Sequence, residues 1–149
     1  MARLRVRGDR LRAARVAANL SRDDIARALG LSSSARVRLW ESGMETPRPR
    51  LMPAIANLLK VHPLHLLDVD PNDPPLAALR IAAGRTTTEM TAPGISVMTY
   101  VRLEDGRSSL EPGAEVVAIL SALLEVDEPL VCAAIHRSRR DSEAAVFLQ

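Results

Sequence analysis

Apolar residues recur at helical spacing in short stretches that glycine and proline cut off. Leu11, Ala14 and Ala18, with Val16 and Ala17, predict an apolar face for a first helix. Ser21 is placed to cap a second helix, with Asp23 and Asp24 favourable against its N-terminal dipole. Ile25, Ala26 and Leu29 face inward in that helix, and Gly30 ends it. Ser32 or Ser33 is expected to cap a third helix, which turns Val37 and Trp40 inward and Arg36 and Arg38 outward and stops at Gly43. A fourth helix follows Pro49 with Met52, Ile55, Ala56 and Leu59 on one side. Pro63 suits the first turn of a short fifth, ending near Leu67.

The segment "DVDPNDPP", Asp68 to Pro75, interrupts this pattern, because adjacent prolines cannot continue a helix. The pattern then returns. "LRAARVAANLSRDDIARALGLS" is answered by "LAALRIAAGRTTTEMTAPGIS", "VRLWESG" by "YVRLEDG", and "IANLLKVHP" by "ILSALLEVDEP", at offsets of 63–65 residues. The expected architecture is all-α: two tandem small helical bundles of about five helices each. Their expected limits are residues 1–68, a Pro/Asp linker at 69–75, a degenerate second repeat at 76–138 and a tail at 139–149.

Two short helices around a tight Gly-containing turn, the second burying Val37 and Trp40 while exposing arginines, have the form of a helix-turn-helix. The second helix must brace the third through Ile25, Ala26 and Leu29, so that the outer face of the third can enter a major groove. Trp40 is then a core anchor. Glu41 reads as a structural partner for a nearby basic or backbone group.

Charge supports that reading in one half only. Residues 1–75 hold 13 basic against 8 acidic side chains, net +5, whereas residues 76–149 hold 7 against 10, net −3. Arginine outnumbers lysine 19 to 1, and its planar fork suits bidentate phosphate and guanine contacts. Arg3, Arg5, Arg7 and Arg10 read either as a flexible arm reaching a groove or backbone or, equally, as a frayed basic terminus. Cys132 is the only cysteine, so no intramolecular disulfide forms within the chain. No apolar run near the roughly 20 residues that span a bilayer follows the basic start, so the chain reads as cytoplasmic, with no membrane association.

At residues Leu11 to Leu67 the chain resembles the Cro and lambda-repressor type of DNA-binding domain, the Xre family. "LRAARVAANLSRDDIARALGLS" is similar to the family's first two helices, "WESG" to its Glu-x-Gly signature, and "MPAIANLLKV" to its Pro-led fourth helix. The Gly30-to-Glu41 interval is one residue longer than the family's usual spacing. The resemblance implies a lambda-repressor-like bundle and double-stranded DNA as partner. It places Ser34, Ala35 and Arg38 toward bases with Arg36 near the groove edge, and Arg22, Ser42, Arg48 and Arg50 toward phosphates. Arg38 is the residue best suited to guanine readout, since its fork donates to both O6 and N7.

The second half resembles the family less. Pro93 crowds the end of its second helix, and its third helix shows Val97, Met98 and Val101 where the first half shows arginines. Val97, Met98, Thr99 and Arg102 are its possible DNA contacts in a monomer on an asymmetric site. Alternatively the apolar residues bury against a second chain and make a homodimer, which the negative charge of this half favours.

Other chemistry has little support. His62 with His65, and Cys132 with His136, have helical spacing for metal ligands, but the pairs lie in different halves and Cys132 reads as a small buried hydrophobe. No phosphate-binding Gly loop or nucleophile motif occurs, so no enzyme, metal or cofactor is expected. The expected function is a sequence-specific transcriptional regulator, a prokaryotic or phage repressor. The alternative is an antitoxin or other interaction module on the same fold that binds a partner protein and DNA secondarily.

Overall fold

A computed structural model describes residues 4–148. It is all-helical, with isolated bridges at Val6–Leu67 and Ala92–Ile95 and no β-strand among the described residues. The first half is built from α1 (Gly8–Ala17), α2 (Arg22–Ala28), α3 (Ala35–Ser42), a 3-10 turn at Pro49–Leu51, α4 (Met52–Leu59) and a 3-10 turn at Pro63–Leu66. The second half comprises α5 (Leu76–Ala82), a 3-10 turn at Thr87–Glu89, α6 (Val97–Glu104), α7 (Ala114–Leu124) and α8 (Glu128–Phe147).

Local signals set the helix ends. The Ser21 hydroxyl accepts from the Asp24 amide at 3.0 Å and the Asp24 carboxylate accepts from the Ser21 amide at 2.8 Å, a reciprocal cap that starts α2. Gly43, at φ 78°, closes α3 in the left-handed conformation. The start of α3 differs from expectation. Its cap position is Ser34, and the hydroxyl of Ser33 reaches only the Ala35 amide, at 3.3 Å. The Leu31 amide is drawn back to the Ala26 carbonyl at 2.8 Å, so all three serines are spent crossing the turn.

The inner face of α1 is narrower than its sequence suggests. Leu11 is buried and Ala14 and Ala18 pack at the margin, but Val16 and Ala17 stand in solvent, because about 100° per residue carries them past the buried stripe. Gly8 brings α1 onto the end of α3, where any β-carbon would strike the carbonyls of Trp40 and Glu41.

The basic residues before α1 form no free arm among those described. The Arg7 amide donates to the Leu66 carbonyl at 2.7 Å and the Asp68 amide to the Arg5 carbonyl at 3.0 Å. Arg7 binds Asp9 and Asp68 and, like them, is a surface group; its guanidinium lowers the Asp9 pKa to about 2. Arg10 donates to the Leu67 carbonyl at 2.8 Å. Arg3 lies outside the described residues.

The Pro/Asp segment is likewise fastened. Asp73 pairs with Arg137 at 2.7 Å and Arg140 at 3.1 Å, and the Leu76 amide donates to the Ser138 hydroxyl at 2.9 Å. α5 thereby packs against α8 on one side and against the Pro49–Leu51 and Pro63–Leu66 turns on the other, and one apolar core runs through both halves. Residues 139–147 are not a separate tail. They continue α8, because no proline or glycine follows Pro129, Val131, Ala134, Ile135 and Ser138 bury one stripe, and Arg137 pairs with Asp141 one turn on. Beyond that stripe Val146, Phe147 and Leu148 are exposed.

Candidate nucleic-acid interface

α3 is eight residues long and divides its circumference cleanly. Val37 and Trp40 are buried in the core. On the opposite side, at helical spacing, stand Ala35, Arg38, Leu39 and Ser42, with Arg36 on the flank. Leu39, on this outward face, was not among the residues picked from sequence. The wheel position that places Ala35 and Ser42 outward also places Leu39 there, and an apolar contact of this kind suits a thymine methyl. Ser34 sits at the cap, half-buried. Ser42 donates its hydroxyl to the Leu39 carbonyl at 3.0 Å.

What keeps this helix in place is Glu41. Its carboxylate side chain is 3% exposed and accepts from Arg15 Nε at 2.8 Å and from Arg22 Nε at 2.6 Å. Arg15 also donates to the Leu20 carbonyl at 3.0 Å, so one acid ties α1, the α1–α2 turn, the start of α2 and the end of α3 together. A buried carboxylate needs such compensation, and two guanidinium groups supply it.

The eight residues assigned to DNA are therefore not equivalent. Arg36, Arg38 and Arg48 are exposed, and their side chains make no ion pair or hydrogen bond among the described residues. Arg22 commits its Nε to Glu41 and keeps about a third of its side chain, 35%, in solvent. Arg50 is exposed and lies 3.3 Å from Glu89 of the second half. Among the arginines assigned to DNA, Arg22 is thus held by Glu41 together with Arg15, Arg50 lies against Glu89, and the side chains of Arg36, Arg38 and Arg48 are unpaired among the described residues.

The second half repeats the clamp with different surroundings. Arg80 grips Glu104 through Nε at 2.8 Å and a terminal amine at 2.9 Å, and donates to the Arg85 carbonyl at 2.9 Å. Tyr100 is buried beside this pair with a hydroxyl that makes no hydrogen bond. Burial, reinforced by the Glu104 carboxylate, pushes its phenol well above the usual range and keeps it neutral. On the outer surface of α6, Met98 is 63% exposed, Val97 and Val101 are half-buried, and Thr99 and Arg102 are exposed. Thr99 shares a 3.0 Å hydrogen bond with Ser96 at the helix cap.

The histidines and the cysteine are dispersed. His62 Nδ1 accepts from the Leu64 amide at 3.2 Å, His136 meets Glu111 at 2.9 Å, and Cys132 is half-buried in α8. No group of three or more His, Cys, Asp or Glu side chains among the described residues is placed to hold a metal ion. No helix among them is long and apolar enough to cross a membrane.

Residues 8–68 match the family model of a helix-turn-helix domain, the span from the first residue of α1 to just past the Pro63–Leu66 turn. Neither the curated proteins nor the solved structures provide a match to the chain. The first half thus carries a helix-turn-helix domain.

Proposed function

We propose that the protein is a sequence-specific double-stranded DNA-binding regulator, a repressor of the Xre type acting in a prokaryotic cytoplasm or from a phage. The observation that carries this reading is the division of arginines: Arg15 and Arg22 hold the buried Glu41, while the exposed side chains of Arg38 on the outward side of α3, Arg36 on its flank and Arg48 beyond it are unpaired among the described residues. In this reading α3 lies in the major groove. Ser34, Ala35, Arg36 and Arg38 face base edges. Arg22, Ser42, Arg48 and Arg50 face phosphates, Arg22 through the part of its guanidinium that Glu41 leaves free.

Readout and positioning separate by substitution. Arg38→Ala is expected to relax base preference at one operator position, at a cost of about 1–3 kcal/mol for the specific site, whereas Arg48→Ala weakens every sequence alike and lowers the salt slope by about one. Equal losses on operator and random DNA for both variants would remove Arg38 from its role.

The second half is, in this reading, a diverged copy of the first. Supporting it are paired details at matching places: the reciprocal caps Ser21–Asp24 and Thr86–Glu89, the clamps Arg15–Glu41 and Arg80–Glu104, and the left-handed residues Lys60 and Glu125 at the ends of α4 and α7. At the counterparts of Arg36 and Arg38 the copy carries Thr99 and Val101, and Arg102 is the one arginine left on α6. Val97, Met98 and Val101 there suit burial against the same residues of a second chain, so that two basic halves read a palindrome. Met98→Asp is expected to shift the protein toward monomer in sedimentation and to shorten the protected operator to one half-site. An unchanged sedimentation profile, with thymine preference lost at one end of an asymmetric footprint, favours α6 as a second DNA reader instead.

A further inference from the structure

We infer that copies of this chain also associate head to tail, α1 of one copy seating on the α7 side of the next, through the contact that already joins the two halves within each chain. This rests on the second half being a copy of the first.

Inside the chain, α5 lies on the Pro49–Leu51 turn, α4 and the Pro63–Leu66 turn. On α5, which α8 also covers, Ala78 is buried and Ile81 and Ala82 are half-buried. The approach is close: a β-carbon on Gly84 would stand 2.8 Å from Cγ of Pro53. By the offset between the halves, the corresponding face of α1 is Ala13, Val16 and Ala17. All three are exposed, Val16 by 58%, and with Asp9, Arg12 and Glu41 they line a groove at the surface. On this correspondence the first half leaves exposed, among the described residues, a face that is covered in the second half.

The surface that would receive it is exposed over most of its area, although Pro112 is half-buried and Glu111 beside it pairs with His136 and Arg139 of α8. The counterparts of Pro49, Pro53 and the Pro63–Leu66 turn are Pro112, Ala118 and the first turn of α8. Gly113, Ala114, Ala118, Glu128 and Pro129 are all exposed. The counterpart of Pro47, which is buried in the cleft between the halves, is Leu110, which is 78% exposed. The bulk at the tightest point is exchanged between partners. Pro53 over Gly84 becomes the smaller Ala118 over the larger Asn19, and Asn19 keeps the left-handed backbone of Gly84. Charge agrees: the receiving half is net −3 with Glu115 and Glu128 exposed, and α1 belongs to the half of net +5, with exposed Arg12 and Arg27 nearby.

Such a contact uses two different patches, so each added chain leaves one of each free and assembly continues until it closes or runs along DNA. That property defines the test. Sedimentation of the full chain without DNA is measured with Met98→Asp in every sample, which silences any contact through α6. The expected result is a concentration-dependent series beyond dimer. Val16→Glu alone and Ala118→Glu alone each give monomer. Mixed in equal amounts they give a dimer that grows no further, because each variant retains the one face the other lacks, and the remaining pair of faces sets glutamate against glutamate. Both positions are on the surface, and circular dichroism unchanged from the parent confirms folding; Ala13→Glu replaces Val16→Glu if it does not fold. A parent that stays monomeric at all concentrations, or a mixture that fails to pair, overturns the inference. Since no DNA is present, either failure leaves the DNA-binding reading untouched, and loss of DNA binding leaves this one untouched.

Discussion

Glu41→Ala is expected to be among the most damaging single substitutions in the first half, lowering unfolding free energy by about 3 kcal/mol. The carboxylate is almost wholly buried, and its removal leaves the 12% exposed side chain of Arg15 without a counter-charge inside the α1–α3 contact. Arg22 is more exposed and recovers water in part, which holds the loss toward the lower end of what breaking a buried pair costs. Urea unfolding is the measurement. A second comparison sharpens it: Arg22→Ala removes only the outer arm of the clamp and is expected to cost about 1 kcal/mol or less. If Glu41→Ala cost no more than Arg22→Ala, the clamp would not be what holds α3 against α1. DNA binding by Glu41→Ala should fall as its folded fraction falls, because Glu41 itself faces away from the outward side of α3.

Gly106→Ala is expected to cost well above the roughly 1 kcal/mol of Gly43→Ala, by a margin of about 2 kcal/mol or more. Gly43 closes α3 and Gly106 follows α6, both in the left-handed conformation, at φ 78° and 69°, so alanine suffers the same backbone strain in each. Their surroundings differ. A β-carbon at Gly43 meets open space, whereas at Gly106 it strikes the backbone carbonyl of Ser138 and the side chain of Ser142 on α8. Backbone atoms inside a helix cannot swing aside, and Ser138 is also the residue that accepts from the Leu76 amide. Gly106→Ala thus presses on the joint that holds α5, α6 and α8 together. Thermal unfolding of the two variants checks this, and equal midpoints for both would mean that α8 does not lie against Gly106.

These two positions also separate what was readable in the chain from what was not. Ser21, Gly43 and the inward pair Val37 and Trp40 were legible, because a cap, a left-handed stop and a helical stripe depend on residues within a turn or two of one another. For the same reason Glu41 was legible as a structural acid. Which basic groups it would hold was not, since Arg15 and Arg22 reach it only when three helices have packed. Arg22 looked like any other surface arginine beside Arg38, and only that packing distinguishes the two.

The same reason accounts for the larger differences. Arg5, Arg7 and Arg10 have the composition of a free basic arm, and they are tied down by Leu66, Leu67 and Asp68, some sixty positions away. Residues 139–147 look like a charged tail until Ser138 and Arg137 are seen anchoring α8 to Leu76 and Asp73. By itself the sequence determined the all-helical class, the ends of most first-half helices and the existence of a helix-turn-helix, all of which follow from local spacing. Tertiary structure alone decided which arginines remain unpaired, where α8 ends and which apolar faces stay uncovered. Those outcomes depend on side chains far apart in the chain competing for the same carboxylates, carbonyls and apolar surface, and no local pattern records who wins.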